Sequence, residues 1–284
     1  MAEPTGAPLP RWHSQDRHVV RLEWGAAGAE ALTRYAVASG SPVCAVVVDV
    51  LSFTTCVSVA VDAGVRVHPY RWKDATAEAF AAERGAVLAV PRPVGRATGG
   101  ISLSPSTIRG AAGLRDLVLP SPNGATTSAV LAGTGADVVA GSLRNASAVA
   151  EWIVGWLTDR LVATPRPGPG GGPTVVMVPS GERWPDGSLR PAVEDLWGAG
   201  AVVAALAARL EHRGGPLLLS PEAELAGTAW RAVEARAGAA LAGCASGREL
   251  VEQDWADDVA VAAEVDASDV VPVLTDGVYT AHRA

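Results

Sequence analysis

VCAVVVDVL, residues 43–51, is apolar at every position except Asp49. A strand with one face in water alternates polar and apolar residues, whereas an unbroken apolar run fits a strand covered on both faces, as in a parallel sheet flanked by helices. The segment that follows, SFTTCVSVAVDAG, has helical character and closes on Gly64, a residue suited to a helix C-terminus. Strand, polar turn and Ala-rich helix then recur along the chain. VRVHPY leads to an exposed helix from about Asp74 to Arg84, and AVLAV follows. DLVLP, residues 116–120, precedes a helix that starts after Asn123 and ends near AGTG. ADVVAG restarts the sheet ahead of the helical SLRNASAVAEWIVGWL, with Asn145 or Ser147 as its N-cap. This alternation predicts an α/β fold of three layers, α/β/α, around a largely parallel or mixed sheet.

TPRPGPGGGP, residues 164–173, is too rich in Pro and Gly for helix or strand and reads as a linker. Beyond it, TVVMVPSG is a strand and RPAVEDLWGAGAVVAALAARLEHRGG a long helix. LAGTAWRAVEARAG and ASGRELVEQDWADDVAVAAEVD are further helical segments before the closing VVPVLTDGVY. No repeat of fixed period is visible. The chain reads as one unit, 1–284; the alternative is two lobes, 1–163 and 174–284, joined by the 164–173 loop.

The 284 residues are 49% hydrophobic and carry a net charge of -7. That is ample for a buried core, and no basic field is present to attract nucleic acid. Lys73 is the only lysine, so a phosphate-binding cation here must be Arg, a helix N-terminus or a metal. Cys44, Cys56 and Cys244 are widely spaced among Val and Ala, which fits small buried hydrophobes in a reducing compartment better than disulfides or a zinc site. The N-terminal MAEPTGAPLPRWHSQD lacks the layout of a signal peptide, and no apolar run is long enough to span a membrane. The expectation is a soluble, cytoplasmic protein; a homodimer is compatible with the sequence, which fixes no oligomeric state.

Chemistry concentrates at β-to-α junctions, where open parallel sheets bind ligands because the carboxyl ends of the strands share an edge. Asp49, at the end of an apolar strand, is costly to bury unless it is paired or binds metal. Thr54 and Thr55 follow at a helix start, where hydroxyls and free N–H groups hold anions. In LVLPSPNGATTSAV, Ser121, Asn123 and Gly124 place a flexible turn at another helix start, although an Asn-Gly turn with an N-cap explains much of that without a ligand. The third junction, VPSGERWPDGSLRPAVEDLWGAG, carries Glu182, Glu194 and Asp195. Adjacent carboxylates on a helix point about 100° apart, so one of Glu194 and Asp195 is expected to face the site. Oxygen donors from several strand ends suit Mg²⁺ better than zinc.

His13, His18, His68, His212 and His282 show no paired spacing, which leaves a zinc centre or a Ser/His/Asp triad without support. Leu51 stands where an Asp-x-Asp phosphatase needs its second Asp, and neither a Walker A run nor a dinucleotide-binding glycine pattern is present.

VVVDVLSFTT, LPSPNGATT, AGSLRNASAVA, VEDLWGAGAVV and the tail SGRELVEQDWADDVAVAAEVDASDVVPVLTDG resemble, in order and spacing, the 2-phosphosulfolactate phosphatase (ComB) family, from roughly Val43 to Gly277. The resemblance implies that family's α/β fold and a Mg²⁺-dependent acid phosphatase that converts 2-phospho-3-sulfolactate to 3-sulfolactate and phosphate. It puts Asp49 on the family's strand-end Asp, Asn123 and Gly124 on its Ser-Pro-Asn-Gly turn, Asn145 on its Asn-Ala-Ser turn, and Glu194 with Asp195 on its Glu-Asp pair. The implied site has Asp49 and one of Glu194 and Asp195 on Mg²⁺. Thr54, Thr55, Ser121, Asn123 and Gly124 serve as phosphate donors, Arg92 or Arg144 as the cation, and Asn145 joins the catalytic set.

The chain departs from the pattern at two places. Ser52 and Phe53 stand where members carry Arg and a small residue after Asp-Val-Leu. In AVPRPVGRATGGISLSP, Arg92 keeps the Arg of a Gly-Glu-Arg-Gly-Gly segment while its Glu falls at Val90, leaving Glu182 as the acid available to replace it. These departures motivate two further readings: a homologue that binds an anionic small molecule without hydrolysis, and a phosphatase for a different small phosphomonoester.

Overall fold

The computed structural model describes residues 9–71, 76–163, 171–212 and 218–283. Residues 1–8, Lys73, Asp74 and residues 164–170 of the Pro/Gly-rich segment lie outside the described residues. The chain runs through β1 (Val20–Leu22), α1 (Gly25–Ala38), β2 (Val43–Val48), α2 (Phe53–Asp62), β3 (Arg66–Tyr70), α3 (Thr76–Arg84), β4 (Val87–Leu88), α4 (Arg92–Thr98), α5 (Pro105–Arg109) and β5 (Asp116–Pro120). It continues through α6 (Gly124–Ala132), β6 (Asp137–Gly141), α7 (Ala146–Ala163), β7 (Thr174–Pro179), β8 (Glu182–Arg183), β9 (Leu189–Arg190) and α8 (Val193–His212). It ends with α9 (Pro221–Arg231), α10 (Ala237–Gly243), α11 (Ala245–Glu252), α12 (Ala256–Ala262), β10 (Val270–Thr275) and β11 (Val278–Arg283).

Nine strands form one sheet in the order β1-β7-β2-β6-β10-β11-β3-β5-β4, with β8 and β9 as a separate hairpin. The unbroken apolar runs are central strands, as their composition demands. Along β2, Cys44, Val46 and Val48 pack with β7, α7 and α8 on one face, while Val43, Ala45 and Val47 pack with α1 and with Leu131 of α6 on the other. A third cluster joins Phe53 and Val57 of α2 to Val67, Leu117, Leu119 and Tyr279. Each such Val or Leu contributes about 1.5–3 kcal/mol relative to exposure. The three-layer α/β/α expectation therefore holds. β7, which follows the Pro/Gly-rich segment, inserts between β1 and β2, so the chain on both sides of that segment shares one sheet.

The sheet is mixed, one of the two arrangements expected, with its parallel strands in two blocks. β1, β7, β2 and β6 are mutually parallel, and so are β3, β5 and β4. β10 is antiparallel to β6 and to β11, and β11 is antiparallel to β3. Followed through these pairs, the second parallel block runs opposite to the first, and the strand carboxyl ends do not all lie along one edge. The inverting hairpin turns at Asp276 and Gly277, both at positive φ (51° and 79°), the Asp-Gly pattern of a tight turn matched to strand twist. The five steps from β2 to β5 accumulate a twist of about 100° or more at ~20–25° per strand. The junctions after β2 and β5 nonetheless meet, with the Gly124 N–H 2.8 Å from Asp49 Oδ2.

Candidate active site

The junctions meet at Asp49. Its Oδ1 accepts from the Phe53 N–H at 3.1 Å and its Oδ2 from the Gly124 N–H at 2.8 Å. Phe53 and Gly124 are the first residues of α2 and α6, so one buried carboxylate sits at the N-termini of two helices and satisfies donors that have no intrahelical partner. Asn123 occupies the N-cap position of α6 without capping it. Its amide instead donates to Glu182 Oε2 at 2.8 Å, which joins the Ser-Pro-Asn-Gly turn to the start of the β8–β9 hairpin. Burial raises the Asp49 pKa, and the Glu194 charge adds to this; the Phe53 and Gly124 N–H groups and the charge of Arg92 act against it.

Glu194 and Asp195 lie in the first turn of α8 and are both buried. Asp195 grips two strand ends, accepting from the Val50 N–H at 2.7 Å and the Gly181 N–H at 2.9 Å. Burial raises its pKa, reinforced by the charges of Asp49 and Glu194. Glu182 is pushed up to about 7, first by burial and then by the charge of Asp49, with Glu194 adding to it. Glu194 also reaches the Cys244 thiol, which burial first and the Glu194 charge second push up to about 12. Ser180, which sequence reasoning passed over, comes next in the ladder after the Pro179–Val48 pair and lies beside Asp49. Its backbone N–H bonds Val48, and its buried hydroxyl has no partner.

The Glu194 charge thus acts on Asp49, Glu182 and Asp195, and that of Asp49 on Glu182 and Asp195, the situation a divalent cation relieves. Among the described residues no three His, Cys, Asp or Glu side chains form a ready metal cage. Asp49 and Asp195 already spend both oxygens on backbone N–H groups. These donors do not make an all-protein cage; at most one or two of the carboxylates could share a hard cation with waters and substrate oxygens.

Positive charge reaches Asp49 from Arg92 and Glu182 from Arg190. Arg92 opens α4, and its Nη2 donates to Ser52 Oγ at 2.7 Å. Positive charge that the sequence lacks at position 52 is therefore delivered there from another segment. Val90, at the place of the expected Glu, makes a bridge to Ser102.

Other expected residues are engaged elsewhere. Thr54 Oγ1 donates to the Asp49 carbonyl at 2.8 Å and Thr55 Oγ1 to that of Val50 at 2.7 Å, so both hydroxyl protons lock the turn and neither is left for a phosphate oxygen. Asn145 Oδ1 accepts from Ser142 N–H and Oγ, and its Nδ2 donates to the carbonyls of Ala140 and Val270. Those bonds use all four of its hydrogen-bonding capacities; it pins backbone, and it is not the cap of α7. The Ser147 N–H and hydroxyl both go to Asp266. Arg144 is held between Glu264 and Asp62. Asp62 is the last residue of α2, about 13 Å along the helix from the end at Asp49. Ser121 Oγ accepts from the Asn123 N–H at 3.3 Å, which leaves its proton to donate.

A sequence model of the family described as 2-phosphosulpholactate phosphatase matches residues 32–277. The chain belongs to the 2-phosphosulpholactate phosphatase family. The match spans both parallel blocks apart from β1, the inverting hairpin up to Gly277 and every acid around Asp49. As a member of the 2-phosphosulpholactate phosphatase family the chain is a phosphatase, a phosphoric monoester hydrolase acting on a small phosphorylated molecule. No individually curated protein matches it. Among the described residues no helix is long and apolar enough to cross a membrane.

Proposed function

We propose that the chain hydrolyses 2-phospho-3-sulfolactate to 3-sulfolactate and phosphate in a Mg²⁺-dependent reaction centred on Asp49. The observation that carries this reading is the Asp49 carboxylate held by the first N–H groups of α2 and α6, beside Glu194, Glu182 and the Arg92 guanidinium. Asp49 and Glu194 are the residues that would hold Mg²⁺, which supplies neutralisation of phosphate charge. Around them the chain supplies donors: the Ser180 and Ser121 hydroxyls, the first turn of α6 and Arg92. Glu182, poised near neutrality and held by Asn123 through one oxygen, can take a proton from water at the other and return it. In this reading the enzyme works in the cytoplasm, in keeping with three buried, unpaired thiols.

Release of phosphate from 2-phospho-3-sulfolactate and from p-nitrophenyl phosphate, with Mg²⁺ and with chelator, tests the reading. Turnover that survives chelation rejects the metal, and phosphate binding without turnover of either ester makes the chain an anion binder.

A cavity of about 640 Å³ beside Arg92 favours a second reading of the substrate. Leu88, Ala89, Pro91, Pro93, Leu103 and Pro120 line it with apolar groups, where a compact sulfonate has little to bind. A phosphomonoester with an apolar portion fits that wall. Higher kcat/KM for phenyl phosphate than for 2-phospho-3-sulfolactate would select this reading.

A further inference from the structure

Asp258, in the first turn of α12, is 0% exposed, and the reaction outlined above does not use it. A carboxylate persists in such a place only when its oxygens are satisfied. Oδ1 accepts from Ser104 Oγ at 2.6 Å, Ser106 Oγ at 2.7 Å and the Ser106 N–H at 3.4 Å. Oδ2 accepts from Arg92 Nε at 3.2 Å. Ser104 is the N-cap residue of α5, yet its side chain caps no backbone N–H of that helix; it donates to Asp258 and lies 3.0 Å from Ser106 Oγ.

The bond at Nε decides where the guanidinium points. Holding Nε sets the plane of the group, and neither Nη bonds Asp258. Nη2 takes Ser52 Oγ, and among the described residues nothing accepts from Nη1. The segment is fixed a second time one turn later. Arg96 Nη2 donates to the carbonyls of Gln253 at 3.2 Å and Asp254 at 2.9 Å, and its guanidinium lies 4.2 Å from the Trp255 ring centroid. A buried ion pair is a poor source of net stability, because desolvation offsets the attraction, so its contribution here is geometric.

We propose that Asp258, seated in its Ser104–Ser106 socket, is a positioning residue that aims Arg92 at an anion bound beside Asp49 and so sets affinity for the phosphoryl group without touching it. This rests on the phosphatase reading of the site.

The test uses the full chain with inorganic phosphate as the binding probe and p-nitrophenyl phosphate as the substrate. Arg92→Ala and Asp258→Asn are each expected to weaken phosphate binding and raise KM about 10-fold or more, the loss of one charge-assisted hydrogen bond. In Asp258→Asn the kcat is expected to stay within about 3-fold, since Asp258 is not at the reacting atoms. The double variant should bind phosphate no more weakly than Arg92→Ala alone, because Asp258 acts only through Arg92. Phosphate affinity unchanged in Asp258→Asn, or single effects that multiply in the double variant, overturns the proposal. If Asp258→Asn does not fold, Ser106→Ala takes its place: it removes one donor to Oδ1 and should weaken phosphate binding about 2–3-fold, and wild-type affinity in that variant also overturns the proposal. A wild-type protein that binds no phosphate at all overturns the phosphatase reading together with this inference, whereas wild-type binding that Asp258→Asn leaves intact overturns this inference alone.

Discussion

The backbone N–H of Gly124 donates to Asp49 Oδ2 at 2.8 Å across 75 positions of sequence. There is no room for a side chain between them, since a Cβ at position 124 would lie 2.3 Å from Phe53 Cδ1 and 2.7 Å from Asp49 Oδ2. Gly124→Ala must push aside the ring or the carboxylate. Overpacking of this kind costs about 1–3 kcal/mol, a fall in melting temperature of about 2–4 °C for each kcal/mol in a chain of this size. Activity should fall further than stability, because the carboxylate is displaced as well. Thermal melts and steady-state kinetics on the same preparation check this; a Gly124→Ala enzyme with normal kcat would remove the Asp49–Gly124 contact from the reaction.

Asp49→Asn keeps the volume but replaces one carboxylate oxygen by an NH₂ group facing an N–H donor. The expected result is a folded protein whose kcat drops about 10²-fold or more, at 1.36 kcal/mol for each factor of ten. Circular dichroism together with phosphate release separates loss of chemistry from loss of fold, and full activity in this variant would dismiss Asp49 as the centre.

Acids raised in the folded state make stability depend on pH in a definite sense. Glu182 moves from an ordinary 4.5 to about 7, so between those values the folded chain holds a proton that the unfolded chain has lost. Stability from this group is complete below pH 4.5 and is lost as pH climbs through about 7. Asp49 and Asp195, raised by burial first, act in the same direction. In chelator the melting temperature should therefore fall between about pH 5 and 8, with a shallower slope in Glu182→Gln. Mg²⁺ at 100 times its Kd should restore about 2.7 kcal/mol. A melting temperature that climbs over this window in chelated protein, or that ignores Mg²⁺, contradicts the clustering of acids around a cation.

Asn145→Ala should behave differently. It strands the Ser142 N–H and the Ala140 and Val270 carbonyls in the interior, each at about 1–3 kcal/mol if no water replaces the amide. The melting temperature is expected to fall by several degrees while KM for a phosphomonoester stays at the wild-type value; a raised KM at unchanged melting temperature would return Asn145 to the substrate.

The layers were legible in the sequence because VCAVVVDVL and TVVMVP have no polar residue to turn toward water, and burial on both faces follows. The acids were legible for the same reason: Asp49 has no cheap place at the end of such a strand. Direction was not. VVPVLTDGVY announces a hairpin through Asp276 and Gly277, but nothing in it says that the hairpin lies between β6 and β3. Thr54 and Thr55 misled because a hydroxyl at a helix start looks the same whether it faces a ligand or a carbonyl five residues back. Asp258 was hidden by distance: DWADDV reads only as part of a helical segment, and the serine that donates to its carboxylate is 154 positions away. The unpartnered Ser180 hydroxyl could have been suspected from PSG at a strand end, the same pattern that drew attention to Asn123.

The hairpin of β10 and β11 has a further consequence during synthesis. Residues 270–283 lie in the middle of the sheet yet follow the other described strands in chain order, so they leave the ribosome after them. Until they emerge, β6 and β3 each expose an unpaired edge, and the two parallel blocks have no strand in common. The nascent chain can therefore collapse into halves but cannot complete its sheet, and premature termination leaves two adhesive edges in place of a catalyst. Placing the linking strands after the strands they join makes a continuous sheet a property of chains translated past Arg283.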